Sequence, residues 1–149
     1  MATYKLETFK VKFEISDAPR ANYAMRSSED TARIARGIYA TLDADKEHFV
    51  VLCLNNKNRL NGFKVISTGS LTASLVHPRE VYRAALGLCA AALVFCHNHP
   101  SGEPAPSPED VDITRRLKEV GELMGIRVLD HVVIGAGNTY FSFSDRGML

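Results

Sequence analysis

A short apolar run at residues 90–96 ends abruptly in His97-Asn98-His99-Pro100-Ser101-Gly102, and Glu103-Pro104-Ala105-Pro106-Ser107-Pro108-Glu109-Asp110 follows. The run suits a buried strand. Beyond the polar stretch an amphipathic pattern reads as a long helix. Histidines, serines and an aspartate are therefore concentrated where a strand hands over to a helix. That junction is where α/β folds keep their chemistry, so it constrains both the fold and the function.

The spacing has a physical reading. Residues two apart on extended chain face the same way, so His97 and His99 can converge on one ion. A catalytic zinc commonly takes three protein ligands from His, Asp or Glu and keeps one position for water. The third ligand should come from a different rigid element, and Asp110 is the candidate. Ser107 reads as a helix N-cap with Pro108 at the first position, which puts Asp110 in the first turn. The helix dipole favours an ionised aspartate there. Ser107-x-x-Asp110 also fits a capping box with no metal, and a single loop histidine needs no ligand. Two histidines at a strand end, joined to a capped acidic helix start, go beyond what capping explains.

The pattern His97-x-His99, seven residues, Ser107, two residues, Asp110 resembles the JAMM metallopeptidase signature of MPN domains. The fuller run from His97 to Gly102, with Pro106-Ser107, resembles the RadC branch of that superfamily. The resemblance covers residues 47–143. It implies an α/β fold, a mixed sheet flanked by helices and related to the cytidine-deaminase-like sandwich. It implies zinc as cofactor, held by His97, His99 and Asp110, with Ser107 stabilising an oxyanion and an upstream glutamate moving a proton. The substrates it implies are amides: a peptide, an isopeptide or a small amide-linked molecule. Glu47, just before an apolar strand, matches the place of the catalytic glutamate. Glu80, at a helix start, is the alternative. Glu103 lies in the Pro/Gly-rich loop, and Glu109 points to a different side from its neighbour Asp110.

RadC-like chains also carry the Asp130-His131 pair; His131 either lines the site or is a satisfied core histidine. Cys96, next to His97, should face the opposite side of the strand and belong to the core. Longer RadC-like proteins have an N-terminal helix-hairpin-helix region and a DNA-repair association, whereas residues 1–46 show no paired helices. The leading reading is a zinc-dependent amide hydrolase. The alternatives are a DNA-repair accessory and a non-catalytic MPN interaction module. A zinc deaminase would need Cys-x-x-Cys, which the chain lacks.

Composition supports one ordinary domain: 149 residues, 46% hydrophobic, are enough for a real core. Residues 1–46, a strand and a helix, are expected to join residues 47–149 in one globular unit. A net charge of +1, from 18 basic and 17 acidic residues, is not the clustered basic excess of a nucleic-acid binder. No apolar run approaches the ~20 residues of a membrane span, and the first residues do not read as a secretory signal. Cys53, Cys89 and Cys96 sit in apolar context and read as reduced, buried thiols of a cytoplasmic protein.

The remaining elements follow from periodicity. Phe9, Val11, Phe13 and Ile15 alternate with charged residues as a half-buried strand. Ser27 opens a helix with Thr31, Ile34, Ala35, Ile38 and Leu42 on one face. Residues 49–54, almost purely apolar, predict a strand covered on both faces, and residues 62–67 return as its hairpin partner. Pro78 starts a helix with Val81, Ala84, Ala85 and Leu88 inward. The helix from Ser107 is expected to bury Val111, Thr114, Leu117, Val120 and Met124, with Gly125 as its C-terminal cap. Strands follow at residues 126–134 and 140–143. His48 and His77 read as surface residues.

Overall fold

The computed structural model describes residue 3, residues 23–69 and residues 76–149. The alternating stretch at residues 9–15 lies outside them. The order is α1 (Ser28–Tyr39), β1 (His48–Leu54), β2 (Leu60–Thr68), α2 (Pro78–Gly87), β3 (Ala92–Asn98), α3 (Pro108–Met124), β4 (Arg127–Ile134) and β5 (Tyr140–Ser142).

The strands form one mixed sheet, ordered β2-β1-β3-β4-β5. β1 runs antiparallel to β2 and β3, β3 parallel to β4, and β4 antiparallel to β5. Every residue of β1 is buried, because helices cover both sheet faces. On one face Ile34, Ala35 and Ile38 of α1 pack on Val50, Leu52 and Val94. On the other, Val81 of α2 with Ile113 and Leu117 of α3 pack on Phe49, Val51 and Phe95. The fold is therefore α/β, a mixed sheet flanked by helices, as the sequence predicts. Truncating a fully buried aromatic such as Phe49 or Phe95 would cost about 3–5 kcal/mol.

Helix ends follow local chemistry. The Ser27 side chain caps α1 by accepting from the Asp30 N–H, a contact worth about 1 kcal/mol. Gly125 ends α3 at φ 71°, a left-handed conformation that glycine adopts without a Cβ clash.

Four expectations need correction. The buried face of α3 is Asp110, Ile113, Thr114, Leu117 and Gly121, while Val111 and Met124 are exposed. Capping directs Asp110 inward, and the residues at spacings of three and four from it follow. Val111 is then roughly 100° around the helix. β3 extends through His97 and Asn98, because both neighbouring strands continue to pair with it. His48 is buried, not superficial. Its Nε2–H donates to the Asp43 carbonyl at 2.7 Å, and its Nδ1 accepts from Thr68 Oγ1 at 3.0 Å. Cys89 is exposed, in a left-handed turn after α2 (φ 51°).

Candidate metal centre

The sheet pairing brings the polar groups together. His97 lies opposite Phe49 of β1 and Val133 of β4, in the middle of the sheet. Its ring faces the side covered by α3, in contact with Phe49. Alternation turns Asn98 to the opposite face and returns His99 to the same one. The α3 N-terminus points at this pair. Ser107 Oγ accepts from the Asp110 N–H at 3.1 Å, and the Ser107 N–H donates to Asp110 Oδ2 at 2.7 Å. The reciprocal capping box fixes the carboxylate in the cleft.

The outcome is a compact donor set. His97 Nε2 stands 3.3 Å from Asp110 Oδ1, and His99 Nε2 3.4 Å from Asp110 Oδ2. The two Nε2 atoms are 2.9 Å apart. One donor atom from each of His97, His99 and Asp110 lies within 4.8 Å of the others. His97 and Asp110 are buried and His99 is partly open. Two imidazole nitrogens and one carboxylate, reached from one side, fit a zinc ion with room for a further ligand.

Hydrogen bonding around the set suits that role. His99 Nδ1 is 2.7 Å from the Glu103 carbonyl, which can only accept, so Nδ1 carries a proton and Nε2, facing Asp110 and His97, is the nitrogen left to bind an ion. The loop that brings this carbonyl back turns at Gly102, φ 85°. A Cβ there would also stand 2.9 Å from that of Ala136, so both backbone and space call for glycine.

Charge is tuned in opposite directions inside the cluster. Burial alone would raise the pKa of Asp110, but hydrogen bonds from His97 and His99 hold it far below the usual carboxylate range. Hydrogen bonding to Asp110 raises the pKa of His99 against the effect of its partial burial. His131, fully enclosed, has its pKa pushed well below the usual imidazole value, first by desolvation and then by the nearby His97. It is a neutral ring, edge-on to Phe49 and Phe95 and stacked on Phe143.

The other expected residues take these places. Glu47 immediately precedes β1, and continuing the Phe49–His97 pairing by two residues brings it level with His99. Its negative charge contributes to the raised pKa of His99. Glu80 sits in the first turn of α2, paired with Arg83 at 2.8 Å. Glu103 accepts from the Ala105 N–H, and Glu109 is exposed. Cys96 is buried in the α1-side core, with its thiol pKa raised by burial.

The sequence reading passed over Asn98. Its Oδ1 accepts from the His48 N–H at 2.8 Å, and its Nδ2 donates to the Lys46 carbonyl at 2.9 Å. It grips the chain on both sides of Glu47. The signal was available: a polar residue between two same-face histidines must face the opposite side of a strand, where only a polar partner justifies it. A cavity of about 200 Å³ opens beside it at the strand end, lined by Tyr39, His48, Asn98, His99 and Ala136.

A five-stranded mixed sheet with this site between a strand end and a helix start is consistent with a JAB/MPN domain. The chain belongs to the RadC-like JAB domain family, whose model matches residues 25–148. A UPF0758 protein of Syntrophotalea carbinolica is 58% identical over 107 residues, 72% of this chain and 47% of the relative. One from Pelobacter propionicus is 55% identical over 111 residues, 74% and 48% of the two chains. One from Desulfitobacterium hafniense is 43% identical over 154 residues, covering 100% of this chain and 66% of the relative. The match thus spans about half the length of the first two relatives. Their names state a family and no reaction. Among the described residues, no helix is long and apolar enough to cross a membrane.

Proposed function

We propose that this chain is a zinc-dependent hydrolase of amide bonds, acting on a peptide, an isopeptide or a small amide-linked molecule. The observation that carries the reading is the convergence of His97 Nε2, His99 Nε2 and an Asp110 oxygen within 4.8 Å, level with Glu47. Membership of the RadC-like JAB family supports it, because JAB domains are often metal-dependent hydrolases.

Zinc bound there would supply Lewis acidity, lowering the pKa of a water towards ~7 and polarising a carbonyl. The protein's own groups do the rest. His97, His99 and Asp110 would hold the ion and leave a position for a further ligand. The Glu47 carboxylate accepts a proton from the attacking water and returns it to the departing nitrogen. Ser107 Oγ already accepts from the Asp110 N–H, so its own O–H is available to donate to a developing oxyanion. The three free thiols support a reducing compartment, the cytoplasm.

The test is hydrolysis of a panel of peptide and isopeptide-linked substrates by zinc-loaded and chelated protein. Cleavage should require zinc and fall at least ~100-fold in Glu47→Gln, while Glu80→Gln retains the rate. Equal cleavage after chelation would contradict the metal role. No cleavage of any substrate by folded, zinc-loaded protein would favour the interaction-module reading.

A further inference from the structure

We propose that His131 and Thr114 form a one-way hydrogen-bond relay that fixes His97 in the tautomer a metal ligand requires. This rests on the reading that His97, His99 and Asp110 hold a divalent metal. It assigns work to two buried residues that contribute no ligand atom to that set.

The direction of the relay follows from its fixed end. The Asp110 carbonyl can only accept. Thr114 Oγ1 donates to it at 2.6 Å, the back-bond to residue i−4 that a threonine makes inside a helix. A hydroxyl has one proton, so towards His131, whose Nδ1 is 2.5 Å away, Thr114 must accept. His131 Nδ1 therefore carries a proton. The ring is enclosed by Phe49, Phe95 and Phe143 and no carboxylate is hydrogen-bonded to it, so one proton serves it and its Nε2 lone pair is left to accept. His97 Nδ1 lies 2.8 Å from that lone pair and must donate. With Nδ1 committed as a donor, the nitrogen of His97 that can give a lone pair to an ion is Nε2, which faces Asp110 and His99.

His99 reaches the same state in one step, through the Glu103 carbonyl. His97 reaches it in three, and the relay ends on the backbone of another ligand, Asp110. All three members are nearly sealed from solvent: His97 0%, His131 1% and Thr114 2% exposed. Water cannot readily replace a missing partner there. Reversing one bond would set two N–H groups face to face or leave one unpaired, at the cost of an unsatisfied buried donor. His131 and Thr114 are thus positioning residues that act through His97.

The experiment has two readouts. In metal-free, ¹⁵N-labelled protein, long-range ¹H–¹⁵N NMR reports which imidazole nitrogen carries the proton. In the same protein, competition with a chromophoric chelator gives the zinc affinity. The wild type should show His97 and His131 protonated on Nδ1. Thr114→Val keeps the shape but removes the acceptor; His97 should shift towards the Nε2–H form, and zinc affinity should fall about 10–100-fold. Thr114→Ser should restore both. Wild-type His97 with no proton on Nδ1 would overturn the relay. So would a Thr114→Val protein that is less stable but binds zinc as tightly per folded chain. Wild-type protein with the expected tautomers but no zinc binding would overturn the metal reading instead, so the two failures are distinguishable.

Discussion

Asp110 and Asp130 are both buried carboxylates, 2% and 7% exposed, yet they titrate in opposite directions. Asp110 is held charged by imidazoles that overcome its desolvation. In Asp130, desolvation prevails over three hydrogen bonds and its pKa is raised. The partners explain the difference. Asp130 Oδ1 accepts from the His131 and Ser144 N–H groups at 2.7 and 2.9 Å, and Oδ2 from Ser142 Oγ at 2.6 Å. These neutral donors tie β5 and the following turn to β4. Asp110 instead faces two histidine nitrogens, which donate to it when protonated and would turn their lone pairs to a cation bound beside it. Burial alone does not decide a carboxylate's charge; the nature of its neighbours does.

The largest expected effect tests the Asp110 side. Asp110→Asn should weaken zinc binding by more than ~100-fold, beyond the loss expected for a residue outside the ligand set. The amide oxygen can still accept from the Ser107 N–H, so the helix cap survives, but the charge that folding stabilises is lost and Tm at neutral pH should fall. Zinc affinity and Tm measured together check both halves.

Asp130→Ala should do the reverse. It leaves buried donors without an acceptor, at a cost of about 2–4 kcal/mol in urea unfolding, with zinc stoichiometry unchanged. Loss of zinc from folded Asp130→Ala would break the contrast.

A finer test uses Asp130→Asn, which can keep all three bonds if the Ser142 hydroxyl turns to accept. The stability change should stay within ~1 kcal/mol. The folded-state pKa of Asp130 is raised above 3.8. Its contribution is therefore fully present below the unfolded value and is lost as pH rises through the folded one. Measured from about pH 3.5 to 7, wild-type stability relative to Asp130→Asn should decline and then level off. A constant difference would contradict the raised pKa.

The most local effect concerns Asn98. Asn98→Ala removes both bonds beside Glu47 and should loosen that segment by about 1 kcal/mol per bond. It should be seen as faster amide exchange at His48, with zinc affinity unchanged.

Much of the fold is legible because its signals are local. Ser27 and Ser107 cap helices, Gly125 ends one, and the uninterrupted apolar run at residues 49–54 announces a central strand. His97, His99 and Asp110 can be grouped from spacing because strand alternation and a first-turn position fix their directions. What stays hidden depends on pairing between distant elements. Nothing local places Asn98 against Lys46 and His48; the β1–β3 register does. Nothing local makes His131 a neighbour of His97; the parallel β3–β4 pairing does, with Thr114 completing the chain from α3. The face of α3 was misread for a related reason. Hydrophobicity favoured Val111 and Met124, but the capping box and the cleft turn Asp110 inward and set the phase of the whole helix.

The most direct test of the contrast is metal content by elemental analysis on protein purified without a polyhistidine tag, comparing wild type, Asp110→Asn and Asp130→Asn. We expect about one zinc per chain in the wild type and in Asp130→Asn, and none in Asp110→Asn. Folded wild-type protein that holds no zinc after dialysis against it at neutral pH, or that keeps its zinc when Asp110 is replaced, would contradict the assignment.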